Sequence, residues 1–309
     1  MNAGSALELG LVVAGYGRHY IVETPDGERL TCHPRGKKSD CVVGDRVHWQ
    51  PTGDEGVIER VEPRRNLLFR QDEWKTKSFA ANLDQLIVLV ASEPVFSESQ
   101  LARALIAAES VDIPTRIVLN KADLPSIDAA RSRLEPYIAM GVEVVEVSLK
   151  KQPDASRETL APLLVGRATF VLGPSGTGKS TLINLIAPDA KAQVGEISQA
   201  LNSGRHTTTS TQWYWIHESV NHTGGALERK SALIDSPGFQ EFGLRQIDAN
   251  RLASLMPDLR AHASECRFYN CTHQHEPGCG VRAALDRREI SESRYRIYGE
   301  IRAELVDRR

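Results

Sequence analysis

Hydrophobic and polar positions change their period twice along the chain. Up to about Gln71, short stretches alternate between apolar and polar residues, as half-buried strands do. They are Leu9 to Ala14, Arg18 to Thr24, Glu28 to His33 and Arg46 to Gln50. Pro25-Asp26-Gly27 and Pro51-Thr52-Gly53 supply turns between such stretches. Short strands at this spacing predict a small β-barrel. From Ala80 the apolar runs become continuous: Leu86 to Ala91, Thr115 to Leu119, Val142 to Val147, Ala168 to Leu172 and Ala232 to Ile234. Runs of this length suit strands buried on both faces. Between the first two, Ser97 and Gln100 form a capping box for a helix with Leu101, Leu105 and Ala108 on its apolar face. Strands alternating with helices predict a doubly wound, mostly parallel sheet. After about Phe242 the pattern is helical, broken by a Cys/His cluster, and ends in a charged helix.

Three units are therefore expected: a barrel over 1–72, for which an oligonucleotide-binding (OB) fold is one candidate, an α/β domain over 73–242 and a helical unit over 243–309. A chain of 309 residues can bury a full core without disulfides. Net charge is −2, so any nucleic-acid contact must come from local patches rather than global charge. No apolar run is long enough to cross a membrane, and the first residues lack the basic start of a signal peptide. The five cysteines, an odd number, point to a reducing cytoplasm.

The run Gly173-Pro174-Ser175-Gly176-Thr177-Gly178-Lys179-Ser180 fits G-x-x-x-x-G-K-[ST] throughout. Glycines let the backbone curl so that its N–H groups face phosphates. Lys179 neutralises the β- and γ-phosphates, and the Ser180 hydroxyl is placed to hold Mg2+. A strand enters this loop, and a helix over Lys179 to Ile186, including Thr181, leaves it with its N-terminus toward the anion.

Asn120-Lys121-Ala122-Asp123 follows the strand at Thr115 and has the form N-K-x-D, a guanine reader. Asp123 would accept from guanine N1–H and the 2-amino group, Asn120 would meet the opposite base edge, and the Lys121 stem would pack on its face. Adenine offers neither donor and would leave a polar group unpaired, which discriminates strongly. The reader precedes the phosphate loop by about fifty residues, the reverse of the common GTPase order. Loops at the carboxyl edge of one parallel sheet can be permuted in sequence without moving in space. Ser148, in Val147-Ser148-Leu149-Lys150, is a second candidate base contact.

Asp235-Ser236-Pro237-Gly238 fits D-x-x-G, in which the aspartate reaches Mg2+ through water and the glycine N–H meets the γ-phosphate. Thr207, Thr208 and Thr209 follow Gly204-Arg205-His206, and Thr208 is the favoured Mg2+ partner. Phe239 stands where many GTPases carry a water-orienting glutamine, and phenylalanine cannot orient water. His206 is the in-chain candidate for that catalytic role, beside Lys179.

Cys266, Cys271, His273 and Cys279 fall as C-x4-C-x-H-x5-C, a donor set for one structural tetrahedral Zn2+, with His275 as the alternative ligand. Basic clusters lie at Arg60, Arg64, Arg65, Arg70, Lys75 and Lys77, at Arg35, Lys37 and Lys38, and at Arg282, Arg287, Arg288, Arg294 and Arg296. Phe69, Trp74 and Phe79 interleave with the first and could stack bases or fill the core.

The order N-K-A-D, G-P-S-G-T-G-K-S, G-R-H-T-T-T, D-S-P-G and C-x4-C-x-H-x5-C, with Ala80-Ala81-Asn82-Leu83-Asp84 ahead of the first central strand, resembles one family throughout the chain. That family is the circularly permuted, ribosome small subunit-dependent GTPase A. The resemblance implies an OB barrel, a permuted GTPase domain and a zinc domain. It also implies a late role in maturing the small ribosomal subunit and its rRNA, with hydrolysis stimulated by the subunit. Nothing in the sequence demands more than a monomer or suggests a membrane partner. A permuted GTPase acting on another ribosomal particle, a P-loop ATPase or kinase, and a slow nucleotide-gated RNA-binding module are the rival readings. Asn120 and Asp123 speak against the second, and turnover with the partner present separates the third.

Overall fold

The computed structural model describes residues 7–36, 40–71, 76–188, 190, 211–216, 231–236 and 242–307. His206, Thr207, Thr208, Thr209, Gly238, Phe239, Lys37, Lys38, Trp74 and Lys75 lie outside these.

Five strands form the N-terminal barrel: β1 (Glu8–Tyr16), β2 (His19–Glu23), β3 (Arg29–Pro34), β4 (Arg46–Thr52) and β5 (Glu55–Val61). Their order is β1-β2-β3-β5-β4, and β4 closes back onto β1. This is the OB arrangement. Val12, Val22, Cys32, Val47, Trp49 and Ile58 fill the interior. β5 had no counterpart among the expected strands. Its inward residues are only Gly56 and Ile58, set among Glu55, Glu59 and Arg60, so its apolar signal is thin. A hairpin of β6 (Leu67–Gln71) and β7 (Thr76–Ala81) follows, also unannounced by its mixed sequence.

The α/β unit contains β8 (Gln85–Ala91), α1 (Glu98–Glu109), β9 (Thr115–Asn120), α2 (Ile127–Ala139), β10 (Glu143–Glu146), α3 (Pro153–Leu164), β11 (Ala168–Leu172), α4 (Lys179–Ile186), β12 (Gln212–Trp215) and β13 (Ala232–Asp235). The Ser97 hydroxyl accepts from the Gln100 N–H and starts α1, as the capping box predicts. The sheet order is β10-β9-β8-β11-β13-β12. All neighbours are parallel except β12 with β13. Successive residues of β8 face opposite ways. Leu86, Val88 and Val90 join a core with α1 and α2, while Ile87 and Leu89 join one with α3 and α4. That two-sided burial is why the run carries no alternation. The chain runs outward from β8 to β10 and then returns to β11. The strand order therefore reverses between β8 and β11, where open α/β sheets bind ligands at their carboxyl ends.

The barrel is fastened to this sheet through the Ala80–Asp84 segment. Ala81 N–H donates to the Val43 carbonyl (2.9 Å), and the Asn82 amide donates to the Gly44 carbonyl (2.9 Å). Gly44 has φ of +91°, and a Cβ there would sit 2.2 Å from the Ala81 carbonyl oxygen, so no side chain fits. Fully buried Asp45 takes both nitrogens of the Arg64 fork at 2.7 and 2.8 Å. Asp84 accepts from the Ala168 N–H (2.8 Å) at the start of β11.

The C-terminal unit has a 3-10 turn (Leu252–Leu255), α5 (Pro257–Ala263), α6 (Gly280–Asp286) and α7 (Glu292–Val306). Its apolar residues, among them Met256, Leu259, Val281, Ile297 and Ile301, share the core of α1 and α2. One basic cluster needs correction here. Arg294 does not face solvent: it lies on the same α7 stripe as Ile297, Tyr298 and Ile301 and is 2 % exposed. Its fork grips Asp258 (2.8 and 3.0 Å), and its guanidinium lies over the Tyr137 ring. A buried charge of this kind must be paired. Of that cluster, Arg282 lies on α6, Arg287 and Arg288 follow it, and Arg294 and Arg296 lie on α7.

Candidate functional site

A cleft of about 570 Å³ opens where the strand order reverses. Gly173, Pro174, Ser175, Gly176, Gly178, Lys179, Ser180 and Thr181 line one side, and Asn120, Lys121 and Asp123 line the other. The phosphate loop and the base loop, about fifty residues apart in sequence, thus share one cavity. α4 begins at Lys179, so its unpaired N–H groups point at the cleft.

Asn120 joins the two loops. Its residue is 4 % exposed. Its amide donates to the Thr177 carbonyl in the phosphate loop (2.8 Å), and its side-chain oxygen accepts from the Leu149 N–H (3.1 Å). Gly178 has φ of +102°, and a Cβ there would lie 2.3 Å from the Asn120 amide nitrogen. Glycine is thus required both by backbone conformation and by this contact. Thr177 itself is buried, with its hydroxyl donating to the Pro174 carbonyl (2.8 Å).

Asn120→Ala is expected to orphan one buried carbonyl and one buried N–H at about 1–3 kcal/mol each. The variant should lose about 2–4 kcal/mol of stability and bind GTP at least about tenfold more weakly. Denaturant unfolding and titration with a fluorescent GTP analogue check both halves.

Lys179 Nζ donates to Asp235 Oδ1 and, at 2.7 Å, to the Ser236 carbonyl. The end of β13 and the start of α4 are thereby locked across the phosphate position. Burial pushes the Asp235 carboxyl above the ordinary range, with the Lys179 charge opposing it. Lys121 has φ of +63° and donates from Nζ to the Glu93 carbonyl (2.5 Å), while Ser92 Oγ donates to the Lys121 carbonyl (2.9 Å). Ser148 is buried, and its N–H is received by Ser156 Oγ (3.2 Å). The walls contributed by that loop are Lys150 and Lys151. Lys150 belongs to the loop that the sequence offers as a second base contact, while Lys151, Leu124 and the Ser92–Glu93 support are site residues that sequence reasoning missed. The lysine that follows Lys150 directly was the available signal.

Donor atoms of Cys266, Cys271, His273 and Cys279 all lie within 4.8 Å of one another, and His275 is not among them. His273 Nδ1 is 3.5 Å from both Cys266 Sγ and Cys279 Sγ, and the two sulfurs are 4.0 Å apart. A tetrahedral zinc with ordinary bond lengths gives edges of about 3.6 Å (S to N) and about 3.8 Å (S to S). The set therefore fits one zinc. Burial keeps His273 below its usual pKa, so the ring is neutral and has a lone pair to give. Gly280 N–H points at Cys266 Sγ (3.3 Å) and Arg282 N–H at Cys279 Sγ (3.4 Å), which suits thiolates. Glu276 accepts from Thr272 N–H (2.7 Å), Gln274 N–H (3.1 Å) and His275 N–H (3.2 Å), holding the ligand loop in shape.

The basic clusters are mostly spoken for. Arg35 pairs with Glu59, Arg65 with Asp84, and Arg287 with Glu289. Phe79 is core, packed on Phe170 and Phe242.

The family model described as RsgA GTPase matches residues 61–245. The small ribosomal subunit biogenesis GTPase RsgA of Variovorax paradoxus is 60% identical over 305 residues, covering 97% of this chain and 93% of that one. The namesake protein of Paraburkholderia phytofirmans is 52% identical, covering 94% and 92%. The chain belongs to the RsgA GTPase family. Among solved structures, YjeQ from Thermotoga maritima aligns with a TM-score of 0.71 at 30% identity, covering 98% of this chain and all of that one. YloQ, a circularly permuted GTPase, aligns at 0.67 and 26%, covering all of this chain and 98% of its own. This RsgA-family chain is accordingly a permuted GTPase and a GTP hydrolase. The order of base loop before phosphate loop is the permutation itself.

Proposed function

We propose that the chain acts late in maturation of the small ribosomal subunit, binding the subunit and its rRNA in the GTP form and leaving after hydrolysis. The observation that carries this reading is the likeness, over nearly the whole chain, to relatives named for small-subunit biogenesis. The cleft supports it with a guanine-side wall and a phosphate-side wall.

In this reading Asn120, Lys121, Asp123 and Ser148 select guanine. Gly173 to Thr181, with Lys179 at the centre, cradle the phosphates, and Gly238 meets the γ-phosphate. Ser180, Asp235 and Thr208 would hold Mg2+, which when bound neutralises charge on the β- and γ-phosphates. His206 aligns water where Phe239 cannot, completed by a contact from the subunit. Cys266, Cys271, His273 and Cys279 hold one structural zinc. The barrel (1–72) and the C-terminal unit (243–309) grip the particle on either side of the GTPase unit (73–242). The protein works in the cytoplasm as a monomer, where a reducing milieu keeps the ligand cysteines as thiols.

The test is steady-state GTP hydrolysis with and without purified small subunits, with Lys179→Ala subtracting contaminating activity. Large stimulation that depends on Lys179 is expected. GTP binding without stimulation would favour a nucleotide-gated RNA-binding module instead.

A further inference from the structure

The zinc-ligand cluster carries a feature that the ligands do not need. Between Cys266 and Cys271 the chain reads Arg267-Phe268-Tyr269-Asn270. Among the described residues, Phe268 and Tyr269 are the only Phe, Tyr or Trp rings that are exposed, at 41 % and 105 %. A value above full exposure means that Tyr269 stands clear of its own backbone neighbours, and its hydroxyl makes no hydrogen bond to the described residues. Chance scatters exposed rings singly. Here two are adjacent, on a short loop anchored by a metal ligand at each end.

The loop is stiff. Arg267 N–H donates to the Gly278 carbonyl (2.9 Å), and Cys271 N–H donates back to the Phe268 carbonyl (3.2 Å). The Arg267 guanidinium lies 5.6 Å from the Phe268 ring centre. Unlike Arg64, Arg65, Arg287 and Arg294, Arg267 has no carboxylate partner among the described residues. One turn thus presents two exposed rings, Phe268 with the Arg267 guanidinium over it, and a guanidinium with no carboxylate partner among the described residues.

We infer that Phe268 and Tyr269 form a stacking platform for an unpaired base of RNA, with Arg267 facing the adjoining phosphate. The proposal rests on the small-subunit reading above and names one point of grip within it. A protein partner fits less well. Stable protein interfaces need roughly 800 Å² from each side, and a convex two-residue knob cannot supply that. A single ring suffices for a base, because every base has a π-face and stacking demands little area.

The test measures binding of the whole, zinc-loaded protein to purified small subunits in the presence of a non-hydrolysable GTP analogue. Tyr269→Ala and Tyr269→Leu should bind roughly 5- to 140-fold more weakly, the range spanned by loss of one stacked ring. Tyr269→Trp should bind within about twofold of the parent. Zinc content and subunit-free GTP hydrolysis should not change. Ultraviolet crosslinking of the unmodified protein gives a readout that needs no variant, and Phe268 or Tyr269 should appear joined to an RNA base. Tyr269→Ala binding as tightly as the parent would overturn the proposal. So would Tyr269→Leu binding as tightly, which would mean an apolar protein contact, or crosslinks that map elsewhere. A parent protein that bound no small subunit would overturn the small-subunit reading and this inference with it.

Discussion

Lys179→Ala should lower GTP turnover by about 10²–10³-fold, with or without an activating partner. Two losses combine. The first is the positive charge aimed at the β- and γ-phosphates from the start of α4. The second follows from the partner that Lys179 leaves behind. Asp235 is 5 % exposed and pairs with Lys179 in the described structure. Together the pair is neutral. Without the lysine, a buried carboxylate faces a triphosphate, so the site changes from neutral to anionic where anions must bind. Burial, which already holds the Asp235 carboxyl above the ordinary range, works against that added charge, so loss of the lysine cation itself carries most of the effect. Single-turnover hydrolysis at saturating GTP, beside GTP affinity, separates the two losses. The charge argument expects both to worsen, and a variant whose turnover stayed within threefold of the parent would contradict it.

Stripping zinc, or replacing Cys266 by serine, should lower the thermal midpoint by about 10 °C or more while leaving GTP affinity within about twofold. Zinc binding in small domains is itself folding free energy, commonly above about 10 kcal/mol. The cluster ties several elements together. Cys279 caps α6, Tyr295 Oη donates to the His273 carbonyl (2.6 Å), and Tyr298 Oη donates to the Thr272 carbonyl (2.7 Å). Through those tyrosines α7 is pinned to the ligand loop. Cys279, Val281 and Ile297 also sit in the core shared with α1, so damage spreads into it. The cleft lies at the carboxyl edge of the sheet and keeps its own bonds through Asn120. Calorimetry before and after chelation, with GTP-analogue titration on the same samples, checks both parts. An unchanged midpoint after verified zinc removal would refute the structural role.

The central strands were legible because burial on both faces writes long apolar runs. Ala168–Leu172 and the helix from Lys179 to Ile186 fall where the sequence pattern places them. The permuted architecture was legible too, because each nucleotide motif sits directly after one of those runs. β5, β6 and β7 were not, since Gly56, Arg60, Arg70 and Lys77 interrupt their alternation, although β5 pairs with adjacent β4 and β6 with adjacent β7. Arg294 was misjudged for a related reason. Charge alone does not reveal that Asp258, thirty-six residues earlier, waits inside to receive it. Lys151 escaped notice because its place in the cleft is set by the turn between β10 and α3, not by a motif.

The last strand of the GTPase sheet has a neighbour outside its own unit. β12 pairs with β1 through Ala14 and Gln212, Gln212 donates to Tyr16 Oη (2.8 Å), and Trp215 Nε1 donates to Glu23 (2.6 Å). The barrel and the hydrolase are therefore one ribbon of eleven strands rather than two bodies on a tether. The seam between the two is β1 on β12, and β12 begins at Gln212, three residues after Thr209. A partner that grips the barrel therefore grips the same sheet that carries the nucleotide loops, and a second glycine inserted beside Gly15 is expected to shift the Ala14–Gln212 register.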